Sequence, residues 1–167
     1  MKISPLKAFR SLGFLTLFIP AVGYSEDSEP KKLVPLQEYL SSNSQYMSDP
    51  PTFRYVLVRC TSMYYSMSAL FKGETAAERI QLQAQLQSKA EQYLNYSTNL
   101  EFKIQETEKS DKLARLRADI EALAKIYSAN MHDASTRLGS LWKDETIKSD
   151  YDTCEASMKY FESVRAK

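Results

Sequence analysis

Residues 48–73 read SDPPTFRYVLVRCTSMYYSMSALFKG, and the spacing inside this stretch decides the fold. Ser48 and Asp49 offer capping side chains. Pro50 and Pro51 follow where a first helical turn tolerates them, because its amides have no intrahelical acceptor anyway. Phe53, Cys60 and Met67 recur every seven residues, as do Val56, Met63 and Leu70, and Leu57, Tyr64 and Phe71. Three parallel rows make the broad face of a bundle helix rather than a narrow two-stranded seam. The spacing predicts a helix from about Pro51 to Lys72, stopped at Gly73.

Downstream the punctuation almost vanishes. All six prolines lie at or before Pro51, and residues 52–167 hold only two glycines. Thr75 and Glu78 form a capping box that opens a second helix. Its stripe runs through Leu82, Leu86, Ala90, Tyr93, Ser97, Leu100 and Ile104 before fading into the polar run 105–109. Ser110 can cap a third helix with the stripe Leu113, Leu116, Ile120, Leu123, Tyr127, Met131, Ala134 and Leu138, closed at Gly139. A fourth starts at about Leu141 or later and carries Ile147, Tyr151, Cys154, Met158 and Phe161 in register. One continuous helix through residues 105–112 would be ~90 Å long with almost nothing to bury it, so a hairpin is expected there. The fold class is therefore all-α: an up-down-up-down four-helix bundle over residues 49–167, with a short N-terminal helix or extended segment packed on it.

The 48 residues before the bundle divide in two. Residues 1–25 have the form of a secretory signal peptide. Lys2, Lys7 and Arg10 precede an apolar run from Leu12 to Val22 that is too short to span a bilayer, then Pro20 and small residues near Gly23 and Ser25. Residues 26–48 form a polar leader in which Leu36, Tyr39, Leu40 and Tyr46 could build a short helix. The whole chain of 167 residues carries a net charge of +1, and removal of the first 25 takes away three positive charges, leaving −2. Neither value gives an electrostatic reason to bind nucleic acid or a membrane surface. A periplasmic or secreted location is expected, without stable membrane insertion once the signal is cleaved.

Two cysteines in an exported chain raise the expectation of one disulfide. Cys60 lies 13 residues before Gly73 and Cys154 lies 13 after Leu141, so in an up-down bundle both sit ~20 Å from the same end, each on an apolar stripe. The agreement loosens if the fourth helix begins nearer Thr146. A Cys60–Cys154 bond would restrict the unfolded chain by ~4–5 kcal/mol on the entropic account.

Residues able to carry chemistry are sparse. His132, the single histidine, stands next to Asp133 with no activated nucleophile setting, and no metal or cofactor is expected. Asp150, Asp152 and Glu155, with Asp144 and Glu145 upstream, fail the spacing of a calcium loop and suit a helix start facing the macrodipole. The sequon Asn95-Tyr96-Ser97 falls mid-helix. Eleven tyrosines are the compositional oddity. Tyr64 and Tyr127 fall on core stripes, as do Met63, Met67 and Met158, and these five with Phe102 are the candidate contacts for a ligand or partner. The second helix, longer than the first, should project the hairpin tip around Leu100, Phe102, Ile104 and Leu113 by ~15–18 Å, with the segment around Leu36 and Tyr39 available to cover it. A non-enzymatic module binding an unknown protein partner is expected. The rival is a carrier of a small apolar ligand between the helices near Met63, Met67, Tyr127 and Met158.

Overall fold

The computed structural model describes residues 33–43, 45–104 and 109–165. The signal segment 1–25 and the side chain of Phe102 lie outside the described residues. Among those described, every regular element is helical: α1 (Leu36–Ser41), α2 (Pro50–Ala69), α3 (Ala77–Ile104), α4 (Lys109–Asp133) and α5 (Glu145–Arg165). A π-helical turn, Ala134–Leu138, and a 3-10 turn, Leu141–Lys143, join α4 to α5.

Local chemistry sets these boundaries. Asp49 caps α2, its carboxylate accepting the Thr52 amide at 3.1 Å, with Pro50 and Pro51 in the first turn. After Ala69 the chain tightens through 3-10 bonds to Gly73, whose φ of +87° permits the reversal into α3. Gly139, at φ +71°, ends the π turn in the same left-handed way. Asp144 then caps α5 by accepting the Ile147 amide at 2.9 Å, so α5 starts at Glu145, on the late side of the expected range.

The three-row stripe on α2 underestimates its burial. Every residue from Val56 to Tyr64 is buried, including Arg59, Thr61 and Ser62. The reason is that α3, α4 and α5 all pack on it. Serines admit the close neighbour: Ser62 Oγ lies 3.0 Å from the Ile120 carbonyl of α4, and Ser66 Oγ donates to the Ala124 carbonyl at 2.9 Å. Ser62 and Thr61 also lie at 2.8 Å from the carbonyls one turn back, which hides their polarity inside the helix. A small cluster of Val58, Leu116 and Ile120 fills this α2–α4 face, while the main core joins α2, α3, α5 and Tyr127, Met131 and Ala134 at the far end of α4.

This corrects the expected pairing. The projecting hairpin tip assumed that α3 and α4 pair throughout, yet they meet over little of their length, because α2 lies between them and supplies each with a face. The N-terminal segment also goes elsewhere than over the hairpin tip. It lies along α5: the Thr146 hydroxyl donates to the Leu33 carbonyl at 3.4 Å, the Leu36 amide to Asp150 at 2.7 Å, and Tyr39 packs on Tyr55 of α2 at 4.8 Å. Leu36 is fully buried there.

Candidate functional site

The chemistry-bearing side chains concentrate on the seam between α2 and α5. Phe53 meets Phe161, Cys60 meets Cys154 and Tyr64 meets Tyr151, so partners fall along α5 as they rise along α2 and the two helices run antiparallel. Cys60 and Cys154 stand at disulfide distance, Sγ–Sγ 2.00 Å and Cα–Cα 5.7 Å. The two cysteines share a level although both helix ends lie elsewhere than the spacing predicts. Cys60 is nine residues before Ala69 and Cys154 is nine after Glu145, so the two shifts cancel.

On one side of the cysteines lies a wholly buried group. Arg59 of α2 pairs with Asp150 of α5, and both side chains are inaccessible. The Tyr127 hydroxyl, from α4, accepts Arg59 Nε at 3.1 Å and donates to the same carboxylate. Arg59 also donates to the Val34 carbonyl at 2.7 Å and to the Tyr55 hydroxyl at 3.3 Å, and Asp150 accepts the Leu36 amide. Four elements thus converge, and no buried side-chain polar atom among the described residues lacks a partner. Burial pushes the Asp150 carboxyl above its ordinary range while Arg59, Tyr127 and the Leu36 amide pull it down. Burial, with the Asp150 charge behind it, pushes the Tyr127 hydroxyl well up.

On the other side lies a second group of the same types, nearer solvent. Glu155 accepts both the Tyr64 hydroxyl of α2 and the Lys89 ammonium of α3, with Lys89 and Glu155 side chains 32% and 27% exposed. The ammonium lies 5.5 Å from the Tyr64 ring centroid and 5.9 Å from that of Tyr151. Partial burial pushes the Glu155 carboxyl up, but the bonds from Lys89 and Tyr64 outweigh it and hold it below its ordinary range. Behind it Tyr93 stacks on Tyr64 at 5.9 Å and gives its hydroxyl to the Cys154 carbonyl.

The sequence-predicted residues fall as follows. Met63, Tyr64 and Tyr127 are fully buried and Met67 and Met158 are 5% exposed, all within the main core. Two grooves open along the seam of the N-terminal segment with α5, one beside Tyr46, Met47 and Tyr160, the other beside Glu38, Glu145 and Lys148. None of those five residues lines either one. His132 is exposed at the end of α4.

The acids read as one helix-start cluster separate into individual roles. Asp144 is the cap, Asp150 the buried anion, Asp152 the partner of Lys148 at 2.5 Å and Glu155 the partner of Lys89. Heptad rows do not single out Arg59, but the charge pattern does: it is the only charged side chain between Arg54 and Lys72. A lone charge within an apolar run of helix has to be paired if that helix is buried all round. Among the described residues no three His, Cys, Asp or Glu side chains gather as a metal set, and no helix is long and apolar enough to cross a membrane. Compared with models of protein families, curated proteins and solved structures, the chain gives no match.

Proposed function

We propose that this protein is an exported binding module whose partner docks on one end of an up-down-up-down four-helix bundle, the end where α2 stops and α3 and α5 start. The observation that carries this reading is the placement of five of the seven exposed large apolar side chains among the described residues; the other two, Met47 and Tyr160, lie along the groove between the N-terminal segment and α5. Leu70 closes α2, Ile80 and Leu82 lie on the first turns of α3, and Trp142 stands just before α5, with exposures of 43, 49, 40 and 48%. Val34, 52% exposed, adjoins the same end through Leu33 and Thr146. Apolar surface concentrated in this way is characteristic of a protein contact. The bundle topology is supported by antiparallel α2 and α5 and by α3 running with α5, where Lys89 meets Glu155 and Tyr96 meets Phe161. The cysteine pair and the signal-like residues 1–25 support an oxidising compartment, the periplasm or the exterior.

Site-specific photocrosslinking in the native host tests the proposal. Probes at Leu82 and Trp142 should give one discrete adduct, and a probe at Glu121 on the exposed face of α4 should give none. Equal labelling at all three positions, or none at any, overturns the docking end. A retained segment 1–25 or two free thiols in the isolated protein overturns export.

A further inference from the structure

Lys89, Tyr64, Tyr151 and Glu155 form a cage around a cation. Two tyrosine rings face the ammonium at 5.5 and 5.9 Å, a carboxylate bonds it, and Trp142 extends the aromatic wall by packing edge-on to Tyr151 at 5.0 Å. The walls come from α2, α5 and the turn before α5, while the cation comes from α3. We infer that the cage is a binding site for a primary alkylammonium group, the lysine side chain of a partner, and that Lys89 fills it from within the chain when no partner is bound. This rests on the docking end proposed above, which shares Trp142 with it.

Three features support exchange. The cage opens to water, since Lys89 and Glu155 are each about a third exposed, so neither the ring contacts nor the ion pair hold Lys89 strongly. Its walls need no Lys89 to stay in place: Tyr64 is buried against Tyr93, and Glu155 follows directly on Cys154, which is tied to α2. The carboxylate sets the ligand class as well. It accepts hydrogen bonds, which a primary ammonium donates and a quaternary one does not.

The sequence holds one tryptophan, so its fluorescence reports on the cage wall without interference. The experiment titrates the disulfide-intact protein and its K89A variant with n-butylammonium at constant ionic strength, sodium serving as the control cation. The K89A protein should show a saturable Trp142 change that sodium does not reproduce. Wild type should need several-fold more ligand, because Lys89 competes at the high effective concentration of a tethered group. Adding E155Q to K89A should abolish saturation. A response to butylammonium no different from sodium, or identical saturation with and without Lys89, overturns the inference. K89Q serves as a second empty-cage variant if K89A lacks native circular dichroism. No partner enters the titration, so its failure leaves the crosslinking result untouched, and a failed crosslink leaves the cage to be judged on its own.

Discussion

The two polar groups flanking Cys60 and Cys154 are built from the same parts and differ in burial. Each joins a cation, a carboxylate on α5 and a tyrosine that donates to that carboxylate: Arg59, Asp150 and Tyr127 on one side, Lys89, Glu155 and Tyr64 on the other. The first is inaccessible to water and the second about a third exposed. Burial accounts for the choice of cation, since a guanidinium can spread its donors over Asp150, Tyr127, Tyr55 and the Val34 carbonyl, whereas a compact ammonium keeps part of its hydration. It also accounts for the opposite displacement of the two carboxyls, Asp150 upward by burial and Glu155 downward because its hydrogen bonds outweigh burial.

Cutting the bond between the cysteines should have the largest effect. A double C60A/C154A variant should lose ~4–5 kcal/mol on the chain-entropy account, measured by denaturant unfolding against the oxidised protein. If the two groups owe their geometry to packing, the part that still folds will keep the Tyr127 and Tyr64 ring resonances dispersed in NMR spectra. Loss of both signals at once would make the covalent link their common cause.

Asp150→Asn comes next. Both carboxylate oxygens accept, one from the Leu36 amide and the other from Arg59 and Tyr127, so an amide NH2 sets a buried donor against a donor, and a cost of ~3–5 kcal/mol is expected. Replacing both partners by apolar residues, R59M with D150L, should recover much of that, because the uncompensated charge goes with them. A single variant that costs no more than Glu155→Gln would erase the distinction between the groups. The Tyr→Phe pair refines it further. Tyr127→Phe removes a donor from a buried carboxylate and should cost ~1–3 kcal/mol, while Tyr64→Phe should cost less, since water can reach Glu155 in its place.

What the sequence made legible follows the same division. Heptad rows placed the helices, and because both cysteines lie on rows their shared level could be worked out from helix ends, even with those ends misplaced by equal amounts. Periodicity counts apolar residues, so it missed that α2 is buried all round, where Ser62 and Ser66 pass as core by bonding carbonyls of their own and neighbouring helices. It missed the Arg59–Asp150 pair for a related reason: the partners are 91 residues apart, and their pairing depends on the rotation of both helices. Met63, Met67, Tyr127 and Met158 were legible as core residues. The exposed end was not, since Leu70 and Leu82 fall on expected core rows and become exposed only because the helices end or diverge there.

The smallest effect carries the sign that separates the two carboxyls. Glu155 is held below the ordinary carboxylate value of ~4.3, so the stability it contributes is complete above that value and is lost as pH falls through its folded value. Asp150 is displaced upward by burial, so its contribution is present below the ordinary value and declines as pH rises through its folded one. Glu155→Gln should cost under ~1 kcal/mol at neutral pH, as expected for a pair this exposed, and should flatten the acid limb of the stability profile. Asp150→Asn should instead remove a decline on the alkaline side of that limb. Measured by urea unfolding from pH 3 to 7, the two difference profiles against wild type should slope in opposite directions. Profiles that slope the same way would mean that burial does not separate the groups, and that Asp150 is governed by Arg59 as Glu155 is by Lys89.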